Sequence, residues 1–299
     1  MPGPRGGLRT CEPTSRAQRP RTPGPGPAGR LSPKKLEEAP SMEATAVEIR
    51  ELRELNDLQA ASRLFDELWQ RATPALAPEL LRAMTHAGGY AAGAYTGDRL
   101  IGAAAGFLGR HEGQACLHSH IVGVVPEAQG QGVGLALKQH QLRWARAAGI
   151  PVITWTFDPL VRRNAYFNLT RLGARAIAYY PNFYGRMDDG FNANEDTDRL
   201  LVTWPSDPEP TGSVPAPLDV DRIPIAVDED ERGGPVARVI EGPLVRCRIP
   251  ADIVALRRRD PGLGHAWRLA VRQALGATLE RGGTIETATR DGWYVLRSQ

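Results

Sequence analysis

The chain has 299 residues, 41% of them hydrophobic, with 37 Lys and Arg against 34 Asp and Glu for a formal charge of +3. Such a length buries one sizeable core plus a smaller unit, and the near balance of charge argues against a dedicated nucleic-acid binder. No stretch is apolar for long enough to span a bilayer, and the scattered Cys11, Cys116 and Cys247 form neither a metal cluster nor a disulfide framework, so a reducing cytoplasm is the expected compartment.

Residues 1–41 are rich in Pro, Gly and Arg and poor in large apolar side chains, so they cannot bury enough surface to offset the entropy of ordering. They also lack the continuous apolar core of a secretory signal. A disordered tail or an over-extended start is expected there, with function surviving its removal. A short strand follows at 47–53. Leu58, Ala61, Phe65 and Leu68 then recur at helical spacing and predict an amphipathic helix ending before Pro74. A second helix is expected at 78–86, then strands at 90–95 and 100–108 joined by Thr96-Gly97-Asp98, which is hairpin chemistry.

A strand at 115–125 delivers the chain into Gln129-Gly130-Gln131-Gly132-Val133-Gly134, and a helix runs from there to about Ala147, where Gly149 ends it. The first turn of a helix has orphan N–H donors and a partial positive charge, and glycines let phosphate oxygens approach the backbone closely. A pyrophosphate is therefore the expected ligand of this turn, against the plainer reading of a connection between strand and helix. A Walker loop would need Gly-Lys-Ser/Thr, and no Lys is present; a dinucleotide fingerprint would need different glycine spacing and placement. A strand at 151–157, a helix at 161–172 closed by Gly173, and strands at 174–180 and 199–204 complete the first domain, placed at residues 42–204.

Residues 205–217 are polar and Pro-rich and read as a linker, carried on to residue 222. From residue 223 a small α+β extension is expected to pack on the first domain, being small for a free unit. It comprises a strand near 236–250, a helix near 264–281 with Trp267, Val271, Ala274 and Thr278 on one face, and a hairpin at 284–296 turning at Asp291-Gly292.

The run from Val124 through Pro126 to Gly134 resembles motif A of the GNAT acetyltransferase superfamily, whose core Gln/Arg-x-x-Gly-x-Gly/Ala is met by Gln129, Gly132 and Gly134. The order β-α-α-β-β-β-α-β-α-β-β is also that of the superfamily. Arg-Asn-Ala-x-Phe-Asn, Asn-Phe-Tyr-Gly and Asp-Arg-Leu-Leu are similar to a less-characterised bacterial branch of it. The resemblance covers roughly residues 47–204 and implies an α/β (α+β) GNAT fold: a mixed central sheet flanked by helices, in which the parallel strands carrying Val124 and Thr154 splay apart to admit a pantetheine arm. It implies acetyl-CoA as cosubstrate and no metal. Backbone N–H groups of Gln129, Gly130, Gln131, Gly132, Val133 and Gly134 would hold the pyrophosphate, the Val124 N–H would polarise the thioester carbonyl, and Asn164 would bond the pantetheine region. Helix capping is the alternative role for Asn164. Arg162 and Arg163 would meet phosphate or stand in solvent.

One departure matters. Where many members carry a Tyr four residues before the Gly of Tyr-x-x-x-Gly-Phe, to protonate the departing thiolate, this chain has Leu169, and Ala174 follows Gly173. Tyr184 and Tyr166 are the replacement phenols, against a reading of both as packing. For the base, alternation along the strand sends His118 and His120 to one face and Ser119 to the other, and a neutral imidazole suits the task at physiological pH, so His120 is the first candidate. A His-x-His pair also ligates metals, but no third ligand has recognisable spacing. Arg268 and Arg272, one turn apart, either grip a substrate carboxylate or form a solvated face. Asp188, Asp189, Asp196 and Asp198 flank a loop at 190–194 that either lines the acceptor site or is plain surface.

Together these point to acetyl transfer to the amine of a small molecule by direct attack in a ternary complex, with Cys116 as inert packing instead of an acyl carrier. The alternatives are a CoA-binding regulatory module without turnover, for which Leu169 argues, and transfer of a different acyl group. The expected partners are acetyl-CoA and the amine, with no nucleic acid or membrane. The oligomeric state is open, and a homodimer is compatible with the sequence.

Overall fold

The computed structural model describes residues 46–70, 74–187, 195–207, 218–240 and 242–299. The tail at 1–41, Cys11, Asp188, Asp189, the loop at 190–194 and most of the linker lie outside them.

A seven-stranded sheet, ordered β1-β2-β3-β4-β5-β7-β6, forms the larger half. Its strands are β1 (Glu48–Glu51), β2 (Tyr90–Thr96), β3 (Arg99–His111), β4 (Gln114–Val124), β5 (Val152–Phe157), β6 (Arg175–Tyr180) and β7 (Arg199–Pro205). The centres of β2 (residues 91–94) and β3 (residues 102–106) hold only Ala and Gly, and alternate alanines serve opposite faces. Ala91, Ala103, Ala105 and Ile121 share a core with α1 (Leu55–Trp69) and α2 (Pro78–His86), whose buried stripe includes Leu58, Ala61, Phe65 and Leu81. Ala92, Ala94, Ala104 and Leu117 face α3 (Val133–Ala147) through Val133, Leu137 and Ala145. Small residues let α1 lie close: a Cβ at Gly123 would meet Leu68 Cδ1 at 2.5 Å.

β4 and β5 pair in parallel over three residues only, Cys116 with Val152, Leu117 with Ile153 and His118 with Thr154. Beyond that point β4 stays on β3 and β5 stays on antiparallel β7, so the sheet opens. Within β4, Ser119 pairs with Gly106 and Ile121 with Ala105, which leaves His120 as the extra residue of a β-bulge.

On the α3 side of the sheet, Lys138 is almost fully buried. Its Nζ donates to Ser119 Oγ (3.1 Å) and Gln141 Oε1 (2.8 Å) and lies 3.6 Å from the centroid of the Trp155 ring. A ring contributes about 2 kcal/mol to a desolvated cation, whereas burying an ammonium without a carboxylate costs several kcal/mol. Burial wins, and holds Lys138 well below the usual lysine range. The unfolded chain then binds a proton that the folded one does not, so stability rises with pH up to about 10.5. Wild type is expected to gain stability relative to Lys138→Met between pH 8 and 10 in urea denaturation; parallel pH curves would contradict a depressed lysine.

The later helix begins as α4 (Arg162–Ala165) and continues as a π-helical stretch, Tyr166–Arg171, instead of the uniform helix expected at 161–172. The extension differs further from expectation. In place of one strand it has β8 (Ile225–Glu229), β9 (Pro235–Ala237) and β10 (Leu244–Arg248), joined by β11 (Thr284–Ala288) and β12 (Trp293–Arg297) in the order β11-β12-β10-β8-β9. A helix not expected from the sequence, α5 (Ile253–Arg259), precedes α6 (Pro261–Val271), which passes through a π-helical stretch (Arg272–Gly276) into α7 (Ala277–Glu280). Asp252 accepts from the Ala255 N–H to cap α5, and Asp260, followed by Pro261, accepts from Leu263 to cap α6. Trp267, Val271, Leu275 and Tyr294 share one core with Leu160, Leu169 and Leu200 of the larger half, and the Tyr294 hydroxyl donates to the Pro159 carbonyl.

Candidate active site

The glycine turn begins with a short 3₁₀ turn, Pro126–Ala128, and Gln129 then runs extended into the left-handed Gly130 (φ 79°) and Gly132 (φ 85°). Gly132 is the N-cap of α3, and no side chain caps that end. The first-turn N–H groups of Val133, Gly134 and Leu135 therefore point out of a 15-residue helix with its positive end exposed. A Cβ at Gly130 or Gly132 would meet nothing within 4 Å, so the approach is open. Side chains brace the turn from below: Gln129 Nε2 donates to the Val124 carbonyl (2.9 Å) and Gln131 Nε2 to the Glu127 carbonyl (2.7 Å). Arg163, at the start of α4, donates to Gln129 Oε1 (2.7 Å), which brings a guanidinium to the same turn. Arg162 turns away and donates to the Arg290 carbonyl in the extension.

This helix end opens beside the split. The Val125 N–H donates to the Ile101 carbonyl, and an antiparallel ladder alternates, so the N–H groups of Val122 and Val124 face away from β3 and toward the gap between β4 and β5. Asn164 is in the first turn of α4 but does not cap it; the N-cap is Val161, and the Asn164 N–H donates to the Val161 carbonyl.

The face of the sheet opposite α3 carries the candidate acid–base groups. His118 Nδ1 and Thr154 Oγ1 are 3.1 Å apart across the last parallel pair. The exposed His120 keeps its ring 6.5 Å from that of His118, and Phe107 lies 5.0 and 5.8 Å from the two. The two histidines thus share a face, but through the bulge at His120 as well as the pleat. Two residues along β5 from Thr154, Thr156 Oγ1 is 3.3 Å from the Tyr184 hydroxyl. Tyr184 is therefore grouped with the histidines. Tyr166 is not: its ring lies under the Arg290 guanidinium at 5.5 Å, on the side of the extension. Leu169, at the position where many GNAT members carry the acid Tyr, is buried in the core.

Burial, reinforced by His120 and Lys138, holds His118 down at about 4. It is neutral at physiological pH and too weak a base to hold a proton there. The unfolded imidazole takes up a proton near pH 6.5 and the folded one resists until about 4, so this group lowers stability as pH falls through that window. Between pH 7 and pH 4 the wild type is expected to lose roughly 2–3 kcal/mol more than His118→Gln. Equal losses in urea titrations would contradict a buried neutral His118.

Arg268 and Arg272 are both engaged by acids instead of forming a solvated face. Arg268 is fully buried, donates to Asp158 Oδ2 (3.1 Å) and lies 3.4 Å from Glu195 Oε2; Arg257 reaches the same two acids at 2.8 and 2.5 Å. Arg272 forks onto Asp198 (2.7 and 2.8 Å) and also meets Asp196 (3.1 Å). Asp196 and Asp198 thus anchor the extension to the larger half. Burial opposes charge on Asp198, but the fork from Arg272, the Asn182 N–H and the Tyr179 hydroxyl together hold its carboxyl below the usual range. The partners of Arg268 and Arg272 lie 73 to 110 residues away in the chain, a distance at which helical periodicity carries no signal. Among the described residues no group of His, Cys, Asp and Glu could hold a metal ion. Cys116 and Cys247 are both buried.

Residues 52–173 match the model of the acetyltransferase (GNAT) family. The comparison with curated proteins finds no match. Among solved structures, the chain is similar to Arabidopsis thaliana Naa50 in complex with a bisubstrate analogue, at 20% identity and a TM-score of 0.42 over 53% of this chain and 97% of that one. The ribosomal-protein-S18-alanine N-acetyltransferase of Escherichia coli is similar at 18% identity and a TM-score of 0.42 over 56% and 99%. Aminoglycoside 6'-acetyltransferase type Ii is similar at 18% identity and a TM-score of 0.44 over 54% and 99%. The matched segment, residues 52–173, contains the glycine turn, β4 and the parallel pairing where the sheet splits, so these elements of the site lie within the part of the chain that is similar to the GNAT acetyltransferase family.

Proposed function

We propose that this enzyme moves an acetyl group from acetyl-CoA to the amine of a small-molecule acceptor by direct attack in a ternary complex. The observation that carries the reading is the uncapped N-terminus of α3, with open space over Gly130 and Gly132, set beside a split sheet. The diphosphate of the coenzyme binds the N–H groups of Val133 to Leu135, with Arg163 beside them, and the pantetheine arm lies between β4 and β5 near Asn164. The Val124 N–H donates to the thioester carbonyl as negative charge develops on it. The acceptor nitrogen attacks that carbonyl carbon, the carbon–sulfur bond breaks, and the sulfur leaves as thiolate. His120 accepts the amine proton, directly or through water, and the Tyr184 hydroxyl protonates the thiolate. The burial of Cys116 and Cys247 disfavours a covalent acyl-enzyme.

A second reading, a coenzyme-binding module without turnover, is favoured by one observation, the buried Leu169 at the position of the usual acid. Calorimetric titration with acetyl-CoA, followed by a thiol-release assay over small amines and a peptide α-amine, separates the two. Binding with thiol release on a small amine supports the enzyme. Binding without release on any amine supports the module, release only on the peptide moves the acceptor to a protein, and absence of binding overturns both readings.

A further inference from the structure

Four large aromatic side chains stand exposed on the face that carries His118 and Thr154: Phe107 (39%), Tyr180 (39%), Phe183 (46%) and Tyr184 (42%). They are ordered across the split. On the β4 side, Phe107 lies against the rings of His118 and His120. On the β5 side, Tyr184 is tied to Thr156, Phe183 meets Tyr184 edge-on at 4.7 Å, and Tyr180 follows at 5.3 Å from Phe183. The turn holding Phe183 and Tyr184 is fixed by its backbone: the Phe183 N–H donates to the Thr197 carbonyl and the Tyr184 N–H to Thr197 Oγ1, with Thr197 fully buried. Rings held exposed on a fixed backbone are available to stack on a ligand at small entropic cost.

Among the described residues, the acids at this end of the sheet are already matched. Asp158, Glu195, Asp196 and Asp198 are each held by arginines, and the Arg199 guanidinium lies over the Tyr184 ring at 5.3 Å. A polycationic acceptor would have to take its counter-charges from these pairs, whereas an uncharged aromatic body needs only the rings.

We infer that the acceptor is a primary amine carried on an aromatic body, held between Phe107 on the β4 side and Phe183–Tyr184 on the β5 side, with its nitrogen directed toward the split. The inference rests on the reading of the chain as an amine acetyltransferase and names the substrate class of that site. In a thiol-release assay on the full chain at saturating acetyl-CoA, 2-phenylethylamine is expected to exceed propylamine and spermidine by about tenfold or more in kcat/KM, the size expected for one buried ring with its stacking. Phe107→Ala and Phe183→Ala are each expected to raise KM for 2-phenylethylamine by about tenfold, with acetyl-CoA affinity unchanged as the control for folding. Preference for spermidine or propylamine, or an unmoved KM in both variants, overturns the inference while leaving the transferase reading intact. Calorimetric binding of the same amines is read independently of turnover. Tighter binding of 2-phenylethylamine than of propylamine, lost in Phe183→Ala, supports the inference even if no thiol is released, and equal affinities overturn it.

Discussion

Asp158→Ala is expected to destabilise the protein by about 3–5 kcal/mol, the cost of leaving buried arginines without their carboxylate. Asp158 follows the end of β5 and is the common acceptor for Arg257 of α5 and Arg268 of α6, while its other oxygen accepts from the Leu160 N–H. Both arginines are almost wholly buried, so neither can recover its lost partner from water. Glu195 remains, but burial already raises its carboxyl above the usual range, and it cannot neutralise two guanidinium groups. Asp158→Asn keeps the shape and removes the charge, and should cost nearly as much if charge is what counts. Urea denaturation checks both. A loss below about 1 kcal/mol, the level of an exposed pair, would show that the network is solvated.

Gly132→Glu is expected to weaken acetyl-CoA binding at least about 100-fold, or about 2.7 kcal/mol. Two effects act, and their magnitudes separate them. Any side chain at φ 85° is strained, by about 1–2 kcal/mol, but the space beside Gly132 is open, so the protein still folds. A carboxylate there adds like charge beside the diphosphate, about 4 kcal/mol for each charge pair at 4 Å near a protein surface. Gly132→Ala carries the strain without the charge and should lose less than about tenfold. Similar affinities for the wild type and Gly132→Glu in calorimetry would remove the diphosphate from this turn.

What could be read from the sequence was what short segments encode. The bounds of α2 and the lengths of α1 and α3 follow from apolar spacing and from Pro and Gly punctuation, and the left-handed Gly130 and Gly132 follow from glycine being placed where other residues are strained. The resemblance implies a bulge in this strand, but its place at His120 is not legible, because one inserted residue changes the pairing without altering the alternating pattern around it. Tyr184 reaches Thr156 only after β7 has brought its turn back across the sheet, so its grouping with the histidines depends on the tertiary fold, as does the contact of the Tyr166 ring with Arg290. Arg268 and Arg272 were read from one helix face alone, and their acids come from segments the face does not reveal. The three short strands of the extension fall below the length at which alternation is informative, but α5 had a usable signal in Asp252, three residues before the Ala255 N–H that it caps.

A crystal structure with CoA bound is the most direct measurement of the site. The diphosphate is expected within hydrogen-bond distance of the N–H groups of Val133 to Leu135, with the pantetheine arm between β4 and β5 and the sulfur beside the Val124 N–H. A coenzyme seated on another surface, with the first turn of α3 left to water, would contradict the assignment.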